Sequence, residues 1–361
     1  MNQALVRLPG LIDVHVHLRV PGGEHKEDFR SGSAAAVAGG FTRIMAMPNT
    51  QPPLLSYEVW SKVQDQARRE ALCDVLMYCG AVASSLKNLS ELSSHAPALK
   101  VYLDPTYGNI NIQQIDDLIR IAAAWPKDKP LCLHAEGRSI KDGIEVAEKT
   151  GRHIHFCHVS RKEEIEWIAE GKARGLKITC EVTPHHLFLD HRDAQRLGPL
   201  GDMRPRLGDP GDVAALWDHI GSTIDIIATD HAPHTLEEKA ATIPPPGVPG
   251  LESSLPLMAT AVVEGRLSMA RLVALMHTNP ARIFHLPTQP DSWVEIDLNS
   301  QYTFPEHPLY TKCGWSPFTG RRMHARVSRV VMSGRTIIEN GLVNVEANHK
   351  AIQSIHSEEK K

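Results

Sequence analysis

The 361 residues contain no run of about 18 apolar residues, so no membrane-spanning helix is expected. The opening stretch "MNQALVRLPG" has none of the apolar core that starts a secretion signal. Basic charge is not in excess. The 39 Lys and Arg stand against 42 Asp and Glu, a formal net charge of −3, which argues against nucleic acid or a membrane surface as partner. None of the six cysteines (Cys73, Cys79, Cys132, Cys157, Cys180, Cys313) falls in a C-x-x-C pair. Most sit inside apolar runs, the usage of buried thiols in a reducing compartment rather than of a disulfide framework. No internal repeat or low-complexity segment is present. These absences describe a soluble, cytoplasmic chain.

What is present is 42% hydrophobic residues, enough for a substantial core, and twenty histidines. Short β-rich apolar runs recur near 11–17 ("LIDVHVH"), 41–47 ("FTRIMAM"), 72–80 ("LCDVLMYCG") and 98–103 ("ALKVYL"). Four more lie near 131–135 ("LCLHA"), 153–159 ("HIHFCHV"), 176–183 ("LKITCEVT") and 224–229 ("IDIIAT"). Amphipathic stretches such as "SYEVWSKVQDQARREA" separate them. Strands and helices alternating eightfold over about 230 residues predict an α/β fold, a (β/α)8 TIM barrel; an open doubly wound sheet fits the pattern too. Residues 231–250, "HAPHTLEEKAATIPPPGVPG", are too long for a mere connector and read as functional. The expected organisation is a barrel over 1–290, a small β appendage over 291–345 formed mainly by the C-terminal segment, and a polar tail over 346–361.

In such a barrel, reactive groups stand at the C-terminal ends of the strands. Strand alternation puts His15 and His17 on one face. The fourth strand offers Lys100, the fifth His134, the sixth Cys157 and His158, the seventh Glu181, and the eighth Asp230. Four histidines and a carboxylate converging on one rim make a metal site, and neutral imidazoles suit zinc. Lys100 lies within the apolar "ALKVYL". Burial disfavours its ammonium form, and a neutral amine can add CO2 to become a carbamate that bridges two metals. The bland alternative is a lysine that snorkels to the surface. Two zinc ions, less Asp230, a carbamate and a hydroxide, leave residual positive charge that favours an anionic substrate.

The motifs "DVHVHLRVPGG", "MPNT", "HAE", "CHVSRKEE", "CEVTPHHL" and "TDHAPHT" together resemble the dihydroorotases of the amidohydrolase superfamily. The pattern is most similar to the dihydroorotase domain of the animal multifunctional pyrimidine-synthesis proteins, which also carry carbamoyl-phosphate synthetase and aspartate transcarbamoylase. That resemblance implies reversible cyclisation of N-carbamoyl-L-aspartate to L-dihydroorotate, with Asp230 as general acid and base. One zinc falls to His15, His17, carbamylated Lys100 and Asp230, and a second to the carbamate, His134 and His158. A third ion at Cys157 and Glu181 is implied by the animal-type pattern; the alternative is a buried thiol and a hydrogen-bond acceptor. Arg19, Asn49 and His234 match the family's substrate-carboxylate clamp, and Arg204 matches an arginine near the substrate. Thr106 and Tyr107 match a Thr-Phe pair on a mobile lid, with Tyr107 the departure. Val20 replaces a commonly acidic residue. A homodimer and fusion to the two neighbouring enzymes are further implications. Hydantoinases, dihydropyrimidinases and allantoinases share the metal ligands, and a non-catalytic dihydroorotase-like scaffold is the alternative from another class.

Overall fold

The computed structural model describes residues 5–105, 110–112, 114–339 and 341–344. Thr106, Tyr107 and the tail 346–361 lie outside the described residues. In chain order the strands are β1 (Leu5–Pro9), β2 (Leu11–Val16), β3 (Phe41–Ala46), β4 (Asp74–Met77), β5 (Cys79–Gly80), β6 (Leu99–Tyr102), β7 (Leu131–His134) and β8 (Ile154–Phe156). There follow β9 (Ile178–Val182), β10 (Ile226–Ile227), β11 (Trp293–Asp297), β12 (Tyr302–Thr303), β13 (Arg322–Met323), β14 (Arg326–Met332), β15 (Arg335–Glu339) and β16 (Leu342–Val343).

Strands β2, β3 and β4 pair in parallel, as do β5 through β10 in order. Tyr78 separates β4 from β5, and its N–H still bonds Ala46 O at 3.0 Å, so the two are one interrupted strand. A parallel bridge between Val16 and His231, with His17 N–H donating to His231 O at 2.7 Å, joins the last strand to the first. The result is the expected (β/α)8 TIM barrel. Its strands are buried on both faces, which is why each reads as an apolar run rather than an alternation of apolar and polar.

Alternation nevertheless sorts the side chains. Ile44, Leu99, Val101, Leu131, Leu133, Ile154, Phe156 and Val182 pack outward against the helices. Met45, Met47, Tyr78, Ala98, Cys132, Cys157, Ile226 and Ala228 fill the inside, with Phe284 against them. The helices are set by local signals. Asp28 caps Phe29–Ala38 through Ser31 N–H, Ser56 caps Tyr57–Glu70 through Val59 N–H, and Gly151 ends Arg138–Thr150 at φ 62°. Phe29–Ala38 is built of small residues and lies close against Leu251–Val263: a Cβ on Gly39 would come within 2.1 Å of Leu251 O.

The appendage is a five-stranded antiparallel sheet in the order β1-β11-β14-β15-β16. One boundary needs correction. Residues 5–9, expected in the barrel, are the edge strand of this sheet, with Leu5 opposite Asp297 and Pro9 opposite Trp293. A run as short as "LVRLP" carries no period that tells one sheet from the other; Gly10 then turns the chain into β2.

Candidate metal and substrate site

The first strand would present the wrong face were it regular. Ile12 and Val14 point into the barrel, so strict alternation would send Val16 in and His15 out. The ladder to β3 instead shifts register between Asp13 and Val16. This irregularity turns both histidines inward. Asp13 fixes it: one carboxylate oxygen accepts from His15 N–H at 3.0 Å and from Thr229 N–H at 3.2 Å, tying the first strand to the end of the eighth. Burial pushes the Asp13 carboxyl up to about 7.

Around the mouth, His17 Nε2 lies 3.1 Å and His15 Nε2 3.4 Å from Asp230 Oδ1. Across from them, His134 Nδ1 and His158 Nε2 approach to 2.8 Å. Burial depresses His15, His17 and His158, with further lowering by Lys100 at His15, by Arg19 at His17 and by His134 at His158. They stand neutral, each with a lone pair to offer. Burial raises Asp230, against the pull of His15 and Lys100. Three site residues occupy the left-handed backbone region that side chains rarely adopt: Arg19 at φ 62°, His158 at 36° and Asp230 at 46°. Such strain gathers where surrounding structure forces side chains into a functional position.

Lys100 is wholly buried, and its Nζ meets no hydrogen-bond acceptor among the described residues. Among the described residues two groups of donors are spaced to hold a cation, His15 with His17 and Asp230, and His15 with Cys157 and Glu181. In the second group both Glu181 oxygens already have partners, His15 Nδ1 and His155 Nε2, the latter at 3.1 Å. The Cys157 thiol is raised by burial.

The cavity that His15, His17, His134, His158 and Asp230 line, of about 390 Å³ including its open mouth, also takes in Arg19, Asn49, Tyr102, Arg204, Ala232, Pro246 and Gly247. Asn49 Oδ1 lies 2.9 Å from His17 Nδ1, so the asparagine orients a histidine as well as lining the cavity. Arg19 donates through Nε to Pro233 O at 3.2 Å and through a terminal nitrogen to His234 Nε2 at 3.1 Å. His234 itself is fully buried and stands behind Arg19, outside the cavity lining. Arg204 is held at the rim by Asp202 Oδ1, 2.6 Å away.

Four residues escape a reading confined to strand ends: Asp13, Tyr102, His155 and Thr179. Alternation contained the signal for three of them. Counting inward from Cys157 and Glu181 reaches His155 and Thr179, whose side chains lie 2.9 Å apart, and counting from Lys100 reaches Tyr102. Asp13 depends on a partner 216 residues away, which no local pattern announces.

A family profile described as dihydro-orotase-like matches residues 4–143. The multifunctional protein pyr1-3 of Dictyostelium discoideum is 46% identical over 344 residues, covering 95% of this chain but only 15% of that protein. The chain thus spans a small part of that relative's length. A solved inactive dihydroorotase-like domain from a Chaetomium thermophilum CAD-like multifunctional protein superposes with a TM-score of 0.80 at 27% identity, covering 94% of this chain and 96% of that one. The dihydroorotase of Pyrococcus furiosus is 32% identical, the match covering 94% of this chain and 83% of that enzyme. With that identity running across nearly the whole of both sequences, the chain belongs to the dihydroorotase family.

Proposed function

We propose that this chain is a zinc-dependent dihydroorotase that interconverts N-carbamoyl-L-aspartate and L-dihydroorotate in pyrimidine synthesis. The carrying observation is that one cavity gathers neutral imidazole lone pairs, the Asp230 carboxylate and a guanidinium. The donor set fits divalent cations. The bare Nδ1 of His158 and the acceptorless amine of Lys100 are both costly when buried without a ligand to satisfy them.

His15, His17 and Asp230 would hold one ion, His134 and His158 another, and Lys100, as a carbamate, both. Cys157 and Glu181 would be the donors for a third. Bound zinc supplies Lewis acidity toward the ring amide and makes water a nucleophile near neutral pH. Everything else falls to the chain. Arg19 grips the substrate carboxylate, with Asn49 beside it and Arg204 at the rim. Asp230 takes the proton of the attacking water and returns it to the departing ring nitrogen, and runs the same transfer backwards in ring closure. The cationic Arg19 favours dihydroorotate over the uncharged rings of hydantoinases. The buried free thiols support a cytoplasmic location. The resemblance supports a homodimer, and the partial coverage of pyr1-3 supports fusion to carbamoyl-phosphate synthetase and aspartate transcarbamoylase.

The test is turnover of dihydroorotate and, in reverse, of N-carbamoyl-aspartate, alongside zinc analysis of the chain and of Lys100→Ala. The expected result is turnover in both directions by a zinc-loaded chain, and loss of the metal pair in the variant. A zinc-replete chain inert toward both compounds would be a scaffold rather than an enzyme. Two tightly held zinc ions in Lys100→Ala would remove the carbamate.

A further inference from the structure

The loop after Asp230 folds back on itself through "HTLEEK" and places a carboxylate behind the clamp. Glu238 Oε2 lies 3.0 Å from His234 Nδ1 and accepts Thr235 N–H at 3.2 Å. Its other oxygen accepts from Lys26 Nζ at 2.9 Å, and Lys26 is only 3% exposed. His234 is pinned through its backbone too, its carbonyl accepting from Trp315 Nε1 at 2.7 Å.

The protonation pattern follows from what each group can do. A guanidinium only donates, so His234 Nε2, 3.1 Å from Arg19, must accept. A neutral imidazole then carries its proton on Nδ1, which lies 3.0 Å from Glu238 Oε2 and 3.4 Å from the Lys26 ammonium; the nearer carboxylate receives it. The imidazole is held neutral by burial and by the neighbouring cations Arg19 and Lys26. We propose that Glu238, seated by Lys26, is a positioning residue for substrate recognition: by fixing the Nδ1–H tautomer of His234 it keeps Nε2 bare and so holds the Arg19 guanidinium at the cavity. Without that carboxylate the proton can move to Nε2 and face an Arg19 N–H. Two donors then oppose each other and the guanidinium swings away. The inference rests on the proposed dihydroorotase reading for its kinetic arm only.

In the kinetic arm, Glu238→Ala raises KM for dihydroorotate about tenfold, the scale of a sub-ångström misplacement, with kcat within about twofold. Glu238→Gln keeps an acceptor for Nδ1–H and brings KM back to within about threefold of the parent. An unchanged KM in Glu238→Ala, a loss confined to kcat, or a glutamine variant as poor as the alanine one would overturn the proposal. The second arm needs no activity. Long-range 1H–15N spectra of histidine-labelled protein, with His234 assigned by its missing signals in His234→Asn, should show a protonated Nδ1 and a bare Nε2. A proton on Nε2 in the parent overturns the proposal even if every variant is too unstable to assay. A parent that turns over no dihydroorotate, yet shows the bare Nε2, sinks the functional reading alone.

Discussion

Replacing Arg19 by Met keeps the length and apolar stem of the side chain and removes its charge. Arg19 is only 7% exposed, so its attraction for a carboxylate is little screened by water. A buried hydrogen-bonded charge pair loses about 2–4 kcal/mol when one partner is removed. At about 1.4 kcal/mol per tenfold, that is roughly a 30- to 700-fold fall in kcat/KM for dihydroorotate. Most of it should appear in KM, because a carboxylate remote from the breaking bond is held alike in ground and transition states. The φ of 62° at position 19 is unaltered between two non-glycine residues, so backbone strain cancels. Pro233 O and His234 Nε2 lose their donor, so some thermal stability is lost as well, and the assay belongs well below the melting temperature. Arg19→Lys retains the charge without the fork and should fall between. Steady-state kinetics with dihydroorotate, beside a ring amide lacking a carboxylate, read the effect. An unchanged KM for dihydroorotate, or an equal loss for both compounds, would refute the clamp.

Asp230→Asn keeps the shape of the side chain and removes its basicity. It should leave the circular dichroism spectrum intact and cut kcat by about 10²–10⁴-fold; near-parental rates would deny Asp230 its proton role. Gly247, in the cavity wall, sits at φ 135°, and an added Cβ would come within 2.5 Å of Ala232 O. Gly247→Ala should therefore cost about 1–3 kcal/mol in urea unfolding and raise KM, whereas full stability would show that the wall yields. Glu252 is a pH probe away from the candidate metal donors. Burial lifts its carboxyl from 4.5 to about 7, against backbone N–H bonds from Tyr310 and Thr311. The folded state prefers the acid form, so this contribution is full below 4.5 and is lost as pH rises through about 7. Relative to Glu252→Gln, the parent should lose roughly 3 kcal/mol of unfolding free energy between pH 4.5 and 8, constant offsets cancelling. A flat difference would contradict the buried acid.

Strand existence was legible because parallel strands covered on both faces leave apolar runs, and "LIDVHVH", "LCLHA" and "HIHFCHV" are such runs. The donors were legible because chemistry in a barrel stands where those runs end. The fate of residues 5–9 was not, since five residues of edge strand fit either sheet. Nor was the place of His234: its spacing from Asp230 sets it in the right loop, but only packing against Arg19, Glu238 and Trp315 puts it behind the clamp rather than in the cavity.

By itself the sequence determined which residue types end the strands and therefore what donors the rim offers, because alternation and motif spacing are local properties. Tertiary structure decided which way they point. The shift in register that turns His15 and His17 inward is held by Asp13 and Thr229, and the barrel is closed by Val16 and His231, contacts between residues more than two hundred positions apart. Pairings over such distances form only when the whole chain collapses together, and no window of sequence holds both halves.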